Sequence, residues 1–352
     1  MSETSFLKRR WKLLLNIFTA VALIVLIYFI RHQLADTIEN FHKVNLWALV
    51  LIIPIEVWNY DAQARLYQRL FKIVGNKLPY KFWFGLSLEL NFINSVFPSG
   101  GVSGISYLGM RLRRNDIRAG RAALVQLMKL VLIFFAFEVL LLFGVLMIAA
   151  MGKVNNFTIL LASSLTTLLV VGTLAFGFII GSRERIESFF TFMTKVANRI
   201  IYMVRPKHPE TINVKRMRPL FDELHENYVL FQARFRELKA PFVYALFANL
   251  SEVLAVYVVY IAFGHWVNLG AIILAYAVAN FAGLISVLPG GIGVYEALMT
   301  GVLVAAGIPA AVSIPVVVMY RVVNTVIQLP AGYIFYHRTL HGRAQDEPKP
   351  MA

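Results

Sequence analysis

Long apolar runs separated by short basic stretches dominate the pattern of this chain. A bilayer core needs about 20 apolar residues per helical span, so runs of this kind predict membrane helices rather than the core of a soluble domain. We therefore expect an all-α polytopic membrane protein, a helical bundle forming a single transmembrane domain over 1–352. The apolar runs lie at approximately 13–30, 46–60, 82–97, 122–150, 157–181, 241–263, 269–287, 292–307 and 313–336.

The composition agrees with a membrane protein. Of the 352 residues, 59% are hydrophobic and 15% are charged, and the mean hydropathy of +0.67 is too high for a surface that water must wet. The formal net charge is +15, but the basic residues flank the apolar runs. Helix orientation and anionic lipid headgroups explain that placement better than nucleic acid does, so we expect no nucleic-acid partner.

Signals of catalysis are sparse along the chain. Cysteine is absent, which excludes disulfides, thiol nucleophiles and Cys-ligated metals. The seven histidines have no metal-ligand spacing, and no HExxH, GxSxG or P-loop pattern occurs. We expect no metal, no cofactor and no catalytic residue, and thus a protein that is not an enzyme.

The basic stretches predict how the first helices are oriented. Both 61–81 and 111–121 are rich in Lys and Arg and are expected in the cytoplasm, together with the N-terminus. The segment 82–109 between them then has to enter and leave on the same side. It is best explained as a re-entrant hairpin that turns at "FPSGGVSG", residues 97–104.

The second half predicts a break that enters from the opposite side. The polar, basic segment 182–240 is expected in the cytoplasm, with an amphipathic helix over 183–204 lying along the inner leaflet or simply connecting spans. The C-terminus, with a disordered tail at 341–352, is also expected there, so 269–307 begins and ends outside. Whether 269–307 is a re-entrant hairpin or two full spans stays open.

A short internal match connects the two breaks. "SVFPSG" (95–100) and "SVLPGG" (286–291) share Ser, Val, Pro and the second Gly at identical spacing. Matching breaks that enter from opposite faces are typical of an inverted repeat with paired broken helices near the bilayer midplane. The repeat halves would be approximately 46–181 and 241–336.

The second break has a predictable chemistry. Pro289 lacks an amide hydrogen, and backbone left unpaired at membrane depth is tolerated only beside protein or a wet cavity. A helix that restarts near Ile292 points its N–H groups at that cavity, which suits an anion. Glu296 either caps this helix or handles a proton or cation, and the two roles are compatible. The backbone here is loosened by Gly290, Gly291 and Gly293.

Polar residues within the last apolar run form one stripe. Arg321, Asn324 and Gln328 fall at i, i+3 and i+7, so they share a helix face. The planar guanidinium of Arg321 can bind either Glu296 or a lipid phosphate bidentately. We expect this face to point into the bundle.

Other polar residues at membrane depth are weaker candidates. Glu252 is expected to face inward, whereas Glu56 and Asp61 could equally lie at the membrane interface. Lys129 and Glu138 lie nine residues apart on one predicted helix, face opposite sides and are not expected to pair. A second stripe on the first hairpin comprises Ser87, Asn91, Asn94 and Ser95, with Glu89 nearby.

The sequences of the two breaks carry a family resemblance. "FPSGGVSGISYLGMRLRR", "LPGGIGVYEALMTG" and the Tyr320–Arg321 pair resemble the lysylphosphatidylglycerol synthase transmembrane region family, the flippase-like family that includes the membrane half of multiple peptide resistance factors. The resemblance implies a multi-pass protein of a prokaryotic inner membrane that moves a polar lipid between leaflets. The segment 182–240 is too short for the cytoplasmic lysyltransferase domain of the two-domain members, so we expect no synthase activity.

The predicted function is a lipid translocase whose cavity shelters the headgroup of an anionic, aminoacylated or other polar lipid. A secondary transporter of a small solute would use the same inverted repeat. A non-transporting partner in lipid or cell-envelope biosynthesis, or a homo-oligomer, is also compatible with the sequence. The predicted substrate-binding residues are Glu296, Arg321, Asn324, Glu252, Glu89, Asn91, Asn94, Pro98, Gly100, Gly101, Pro289, Gly290, Gly291 and Gly293.

Overall fold

The computed structural model describes Tyr28 and residues 44–97, 102–150, 156–204, 218–285 and 293–341. Within those ranges all regular structure is helical, which confirms the predicted all-α class. The helices are α1 Leu46–Val50, α2 Ile52–Ile73, α3 Tyr80–Val96, α4 Val102–Arg113, α5 Ala119–Ala150, α6 Asn156–Ile180, α7 Arg183–Val204, α8 Arg218–Ala233, α9 Lys239–Ala262, α10 Leu269–Ile285, α11 Val294–Ala305 and α12 Ala310–His341. A 3₁₀ turn at Phe235–Leu238 precedes α9.

Several helices meet the length and polarity requirements of a membrane span. Among the helices of the described ranges, four are long and apolar enough to cross a bilayer: Ala119–Ala150, Ile159–Ile180, Phe235–Ala262 and Ala310–Leu340. Shorter apolar helices occupy Leu269–Phe281 and Val294–Ala305. Large apolar side chains on α5 and α6 are exposed, as they are when lipid is the surrounding solvent. The predicted first span at 13–30 lies outside the described residues, apart from Tyr28.

Each predicted hairpin contains two helices that pack together. In the first, α3 and α4 lie on either side of residues 98–101; in the second, α10 and α11 lie on either side of 286–292. The residues at both turns lie outside the described ranges. The direction in which each hairpin enters the membrane stays a prediction.

The helices of the two predicted repeat halves match in length and order. Helices α2, α3, α4 and α5 have 22, 17, 12 and 32 residues, and α9, α10, α11 and α12 have 24, 17, 12 and 32. Helix α2 packs on α9, whereas α3 packs on α12 and α10 packs on α5. An internal repeat would produce this pattern, in which each 17-residue helix lies against the 32-residue helix of the other half. The repeat and its inversion stay predictions.

Glycines set the distance between helices at two of these contacts, α3 with α12 and α5 with α10. A Cβ added to Gly332 of α12 would lie 2.6 Å from Phe92 Cβ and 2.8 Å from the Leu88 carbonyl oxygen of α3. At the α5–α10 contact, a Cβ on Gly270 would collide with the Gly144 carbonyl oxygen. Small residues let membrane helices approach closely, and both of these contacts depend on that property.

The polar segment 182–240 contains two helices. Helix α7 spans Arg183–Val204, which confirms the predicted helix over 183–204, while its placement along the leaflet stays a prediction. Helix α8 packs on α5, and the Glu223 Oε2 atom accepts a hydrogen bond from the Gly120 backbone N–H at 3.0 Å. The segment is therefore docked on the bundle.

Candidate functional site

Glu296 caps the helix that restarts after the second break. Helix α11 begins at Val294, and Gly293 before it has φ +84°, a left-handed conformation that glycine adopts without steric cost. The Gly293 backbone N–H donates to Glu296 Oε2 at 2.6 Å. This confirms the predicted capping role and uses one of the N–H groups that a helix start leaves unpaired.

The second oxygen of Glu296 faces Arg321. The Arg321 Nε atom lies 3.3 Å from Glu296 Oε1, and the two side chains are 20% and 13% exposed. The Arg321 guanidinium also lies over the ring of Tyr295, 4.6 Å from its centroid, in a favourable cation–π position. The structure thus brings together the two residues that the sequence proposed as partners, and the acid connects α11 to α12.

The predicted stripe on α12 faces the bundle interior. Gln328 Nε2 donates to Asn324 Oδ1 at 2.6 Å, and Asn324 Nδ2 donates to the Tyr320 hydroxyl at 3.2 Å. The Tyr320 hydroxyl donates to Glu252 Oε2 on α9 at 2.8 Å. The predicted inward orientation of Glu252 is confirmed, because its carboxyl meets this chain of polar groups.

Glu56 lies at the other end of the same chain. Gln328 Nε2 donates to Glu56 Oε2 at 3.0 Å, and Glu56 is only 2% exposed. Glu56 is therefore buried inside the bundle, and its depth relative to the membrane interface stays a prediction. The apolar run predicted a helix ending near residue 60, whereas α2 continues to Ile73, so Glu56 sits within the packed part of the helix.

The first hairpin reaches this chain through Asn91. Its Nδ2 atom donates to Gln328 Oε1 at 2.7 Å and to the Tyr60 hydroxyl. The other members of the predicted α3 stripe do not share this environment: Asn94 is exposed and lies against Gly104 of α4, while Ser87 bonds its own helix at the Trp83 carbonyl.

Glu89 belongs to a separate cluster. It accepts hydrogen bonds from the Tyr107 hydroxyl at 2.8 Å and from Thr339 Oγ1 at 2.6 Å, and Arg111 Nε lies 3.3 Å from its Oε2 atom. These contacts join α3, α4 and the end of α12. None of them involves Glu296 or the α12 stripe.

Sequence reasoning missed a buried polar cluster around Lys129 on α5. Lys129 Nζ donates to Gln63 Oε1 at 3.2 Å and lies 4.2 Å from the centroid of the Tyr67 ring. Gln63 in turn donates to Asn59, and Asn59 donates to Ser251 of α9. Lys129 pairs with none of the described carboxylates, in line with the expectation that it does not pair with Glu138. Spacing along one helix shows which polar residues share a face but not which residues of other helices they contact, so these partners could not be found from the sequence.

Part of the predicted site lies outside the described residues. The cavity expected between the two breaks rests on residues at both turns, so it stays a prediction. Among the described ranges, no cluster of three or more His, Asp or Glu residues could hold a metal ion. The unplaced site residues are Pro98, Gly100, Gly101, Pro289, Gly290 and Gly291.

The fold and its polar interior define a multi-pass helical membrane protein with a charged pair at the start of α11. The lysylphosphatidylglycerol synthase TM region family matches residues 13–332, and the chain belongs to this family. It is 32% identical over 108 residues to a UPF0104 membrane protein of Methanothermobacter thermautotrophicus, covering 31% of this chain and 32% of that protein. It is 24% identical over 102 residues to one of Pyrococcus horikoshii, covering 29% and 30%. The chain thus matches about a third of the length of these curated relatives.

Proposed function

We propose that this protein moves a polar lipid, phosphate-bearing or aminoacylated, between the leaflets of a prokaryotic inner membrane, with both termini in the cytoplasm and without a chemical step. The observation that carries the proposal is that Glu296 makes two separate contacts, one with each of its carboxylate oxygens. The same carboxylate caps α11 at the second break and pairs with Arg321 of α12. A charged pair at membrane depth is costly and is retained where a polar substrate passes.

The chemistry of this pair suits an anionic headgroup. A phosphate can replace Glu296 on the guanidinium fork of Arg321 and on the N–H groups at the start of α11, because both bind oxyanions. The Glu296 carboxylate would then be released to contact a headgroup amine. Both side chains are partly exposed, so a ligand can reach them.

The surroundings of the pair favour a lipid over a soluble solute. Val294 and Leu298 lie two residues before and two residues after Glu296 on the first turns of α11, and their side chains are 38% and 36% exposed. Residues two apart on a helix do not share a face, so acyl chains would pack on the apolar side of α11 while the headgroup reaches Glu296 on its other side. A carrier for a small solute would instead surround its site with protein and water.

The matched helix lengths support alternating access. Two halves with the same order of long and short helices can exchange roles around a fixed central site, as inverted-repeat transporters do. Helix α12 contributes both to the headgroup site and to the contact with α3. Movement of the first hairpin would therefore shift α12 and change the position of Arg321.

The test is transbilayer movement of headgroup-labelled anionic, zwitterionic and aminoacylated lipids in liposomes containing the purified protein. We expect movement by the wild type and at least tenfold slower movement by the Glu296→Gln, Arg321→Ala double variant. The matched control is the Asp222→Asn, Arg183→Ala double variant, which removes an exposed acid–arginine pair with 53% and 56% exposed side chains and should move lipid at the wild-type rate.

Two outcomes would contradict the proposal. Lipid movement that survives in the Glu296, Arg321 double variant would place the headgroup site elsewhere. Failure of every lipid to move, with or without an imposed ion gradient, would favour a small-solute carrier or a non-transporting partner in envelope biosynthesis.

A further inference from the structure

The carboxyl groups of Glu56 and Glu252 are connected inside the bundle by a chain of hydrogen bonds on α12. Glu56 accepts from Gln328 at 3.0 Å, Glu252 accepts from Tyr320 at 2.8 Å, and Asn324 bonds both of these α12 residues. The helices that carry the two acids, α2 and α9, pack directly on each other. The two carboxyls therefore belong to one polar network.

This network supplies neutral donors and no compensating cation. Within the part of the chain that the structure describes, neither carboxyl forms an ion pair. A buried carboxylate without a cation loses its hydration and gains only neutral hydrogen bonds, and a second carboxylate nearby increases the cost. Keeping both acids ionised would be strongly unfavourable. The cations on neighbouring helices contact other groups: Lys129 contacts Gln63 and Tyr67, Arg321 contacts Glu296 and Tyr295, and Arg111 contacts Glu89 and Phe82.

An unpartnered oxygen on Glu56 marks where a proton can reside. The Glu56 Oε1 atom is buried and has no hydrogen-bond partner, although the other oxygen of the same carboxyl is bonded. A negative charge on such an atom has no donor among the described residues to stabilise it. A proton on the carboxyl removes that charge.

The other ionisable groups around the two acids are tyrosines. The Tyr60 hydroxyl of α2 accepts from Asn91, and Tyr276 of α10, Tyr295 of α11 and Tyr320 of α12 face the same region. Phenols stay neutral near pH 7. The two acids are therefore the groups of this network that exchange a proton in the physiological range.

We propose that Glu56 and Glu252 form a proton-binding site in which one of the two carboxyls is protonated near neutral pH, and that this site couples lipid movement to a proton gradient. The coupling rests on the proposed translocase function. A metal ion fits less well, because the network turns donor hydrogens of Gln328 and Tyr320 towards the acids, and hard cations need converging oxygen ligands.

Helix α12 provides the physical connection between proton and lipid. Tyr320, which bonds Glu252, is followed directly by Arg321 of the headgroup pair, and Gln328 bonds both Glu56 and Asn91 of the first hairpin. A change of charge on either acid alters bonds that hold α12 against α9, α2 and α3. Proton binding can thereby shift the helix that carries Arg321.

The first measurement is an infrared pH titration of the purified protein, following the carbonyl stretch of protonated carboxyl groups. We expect the wild type to show this band at pH 7 and the Glu56→Gln, Glu252→Gln double variant to lose it. The control is Glu296→Gln, which removes a carboxyl outside the Glu56–Glu252 network, 3.3 Å from Arg321, and should keep the band. A wild-type spectrum without the band at pH 7 would overturn the proposal even if the variants fold poorly.

The second measurement imposes a pH gradient across the lipid-transport liposomes. We expect the gradient to speed lipid movement severalfold in the wild type and to have no effect on Glu56→Gln or Glu252→Gln. If the wild type moves lipid at the same rate with and without the gradient, the coupling is overturned and the translocase function stays intact. Absence of lipid movement, with the band still lost in the double variant, would remove the translocase function and keep the proton site.

Discussion

Glu296 connects two helices with its two oxygens: Oε2 accepts from the Gly293 N–H at 2.6 Å at the start of α11, and Oε1 lies 3.3 Å from Arg321 Nε on α12. Loss of Arg321 would remove a cation that faces Glu296, and loss of Glu296 would remove both the acid that faces Arg321 and the side chain that caps α11. The start of α11 and the charged pair therefore depend on the same carboxylate.

The mutual dependence of Glu296 and Arg321 predicts a strong energetic coupling. We expect Glu296→Gln and Arg321→Gln each to lower the thermal unfolding temperature, because each leaves a partly buried charge without its partner. The double variant should cost less than the sum of the two, with a coupling energy of about 1–3 kcal/mol. Unfolding temperatures of the four proteins in one detergent provide the cycle. Simple additivity would show that the two charges do not interact.

The helices were predictable from the sequence to within a few residues where apolar runs were long. Residues 269–287 and 292–307 were expected, and α10 and α11 occupy Leu269–Ile285 and Val294–Ala305. The stripe on α12 was also predictable, because spacing alone places Arg321, Asn324 and Gln328 on one face. In each of these cases the information is local in the chain.

The partners across helices were much less predictable. The sequence left open whether Glu56 faces the bundle or the membrane interface, because hydropathy falls after residue 60. Helix α2 continues to Ile73 and buries the acid against Gln328, 272 residues away. Lys129 gave no signal that its partner would be Gln63. Such contacts depend on how helices dock, and a periodic pattern carries no information about docking.

Close packing of α3 on α12 predicts that Gly332 tolerates no side chain. We expect Gly332→Leu to destabilise the protein by about 2–5 kcal/mol, because the Cβ already falls 2.6 Å from Phe92 Cβ and 2.8 Å from the Leu88 carbonyl and overpacking forces the helices apart. Thermal unfolding followed by tryptophan fluorescence measures this. The control is Gly301→Ala on α11, where a Cβ meets nothing within 4 Å; a similar loss there would mean that the contact with α3 is not the cause.

The Glu89 cluster predicts that a buried ion pair matters more than an exposed one. Arg111 and Glu89 have side chains 11% and 3% exposed, so Arg111→Ala leaves an unpaired acid inside the bundle and should cost about 3 kcal/mol. Arg183→Ala removes an arginine that is 56% exposed, and exposed pairs contribute about 0–1 kcal/mol. Unfolding temperatures of the two variants test the difference. Equal losses would show that burial does not decide the contribution of these pairs.

The absence of cysteine from the 352 residues allows the predicted opposite orientation of the two hairpins to be tested with single cysteines. Lys77→Cys and Arg118→Cys flank the first hairpin, and Trp266→Cys and Ala310→Cys flank the second; all four positions are exposed. We expect a membrane-impermeant maleimide to label residues 77 and 118 only from the cytoplasmic side, because their surroundings are basic.

Residues 266 and 310 should be labelled only from the opposite side in the same experiment. That result requires an odd number of crossings between the flanks of the two hairpins, and it makes the repeat of 17-, 12- and 32-residue helices an inverted one. Labelling of all four positions from a single side would make the repeat parallel. The packing of α3 on α12 and of α10 on α5 would then have to arise with both hairpins entering from the same side. Alternating access around the Glu296–Arg321 pair would lose its structural basis.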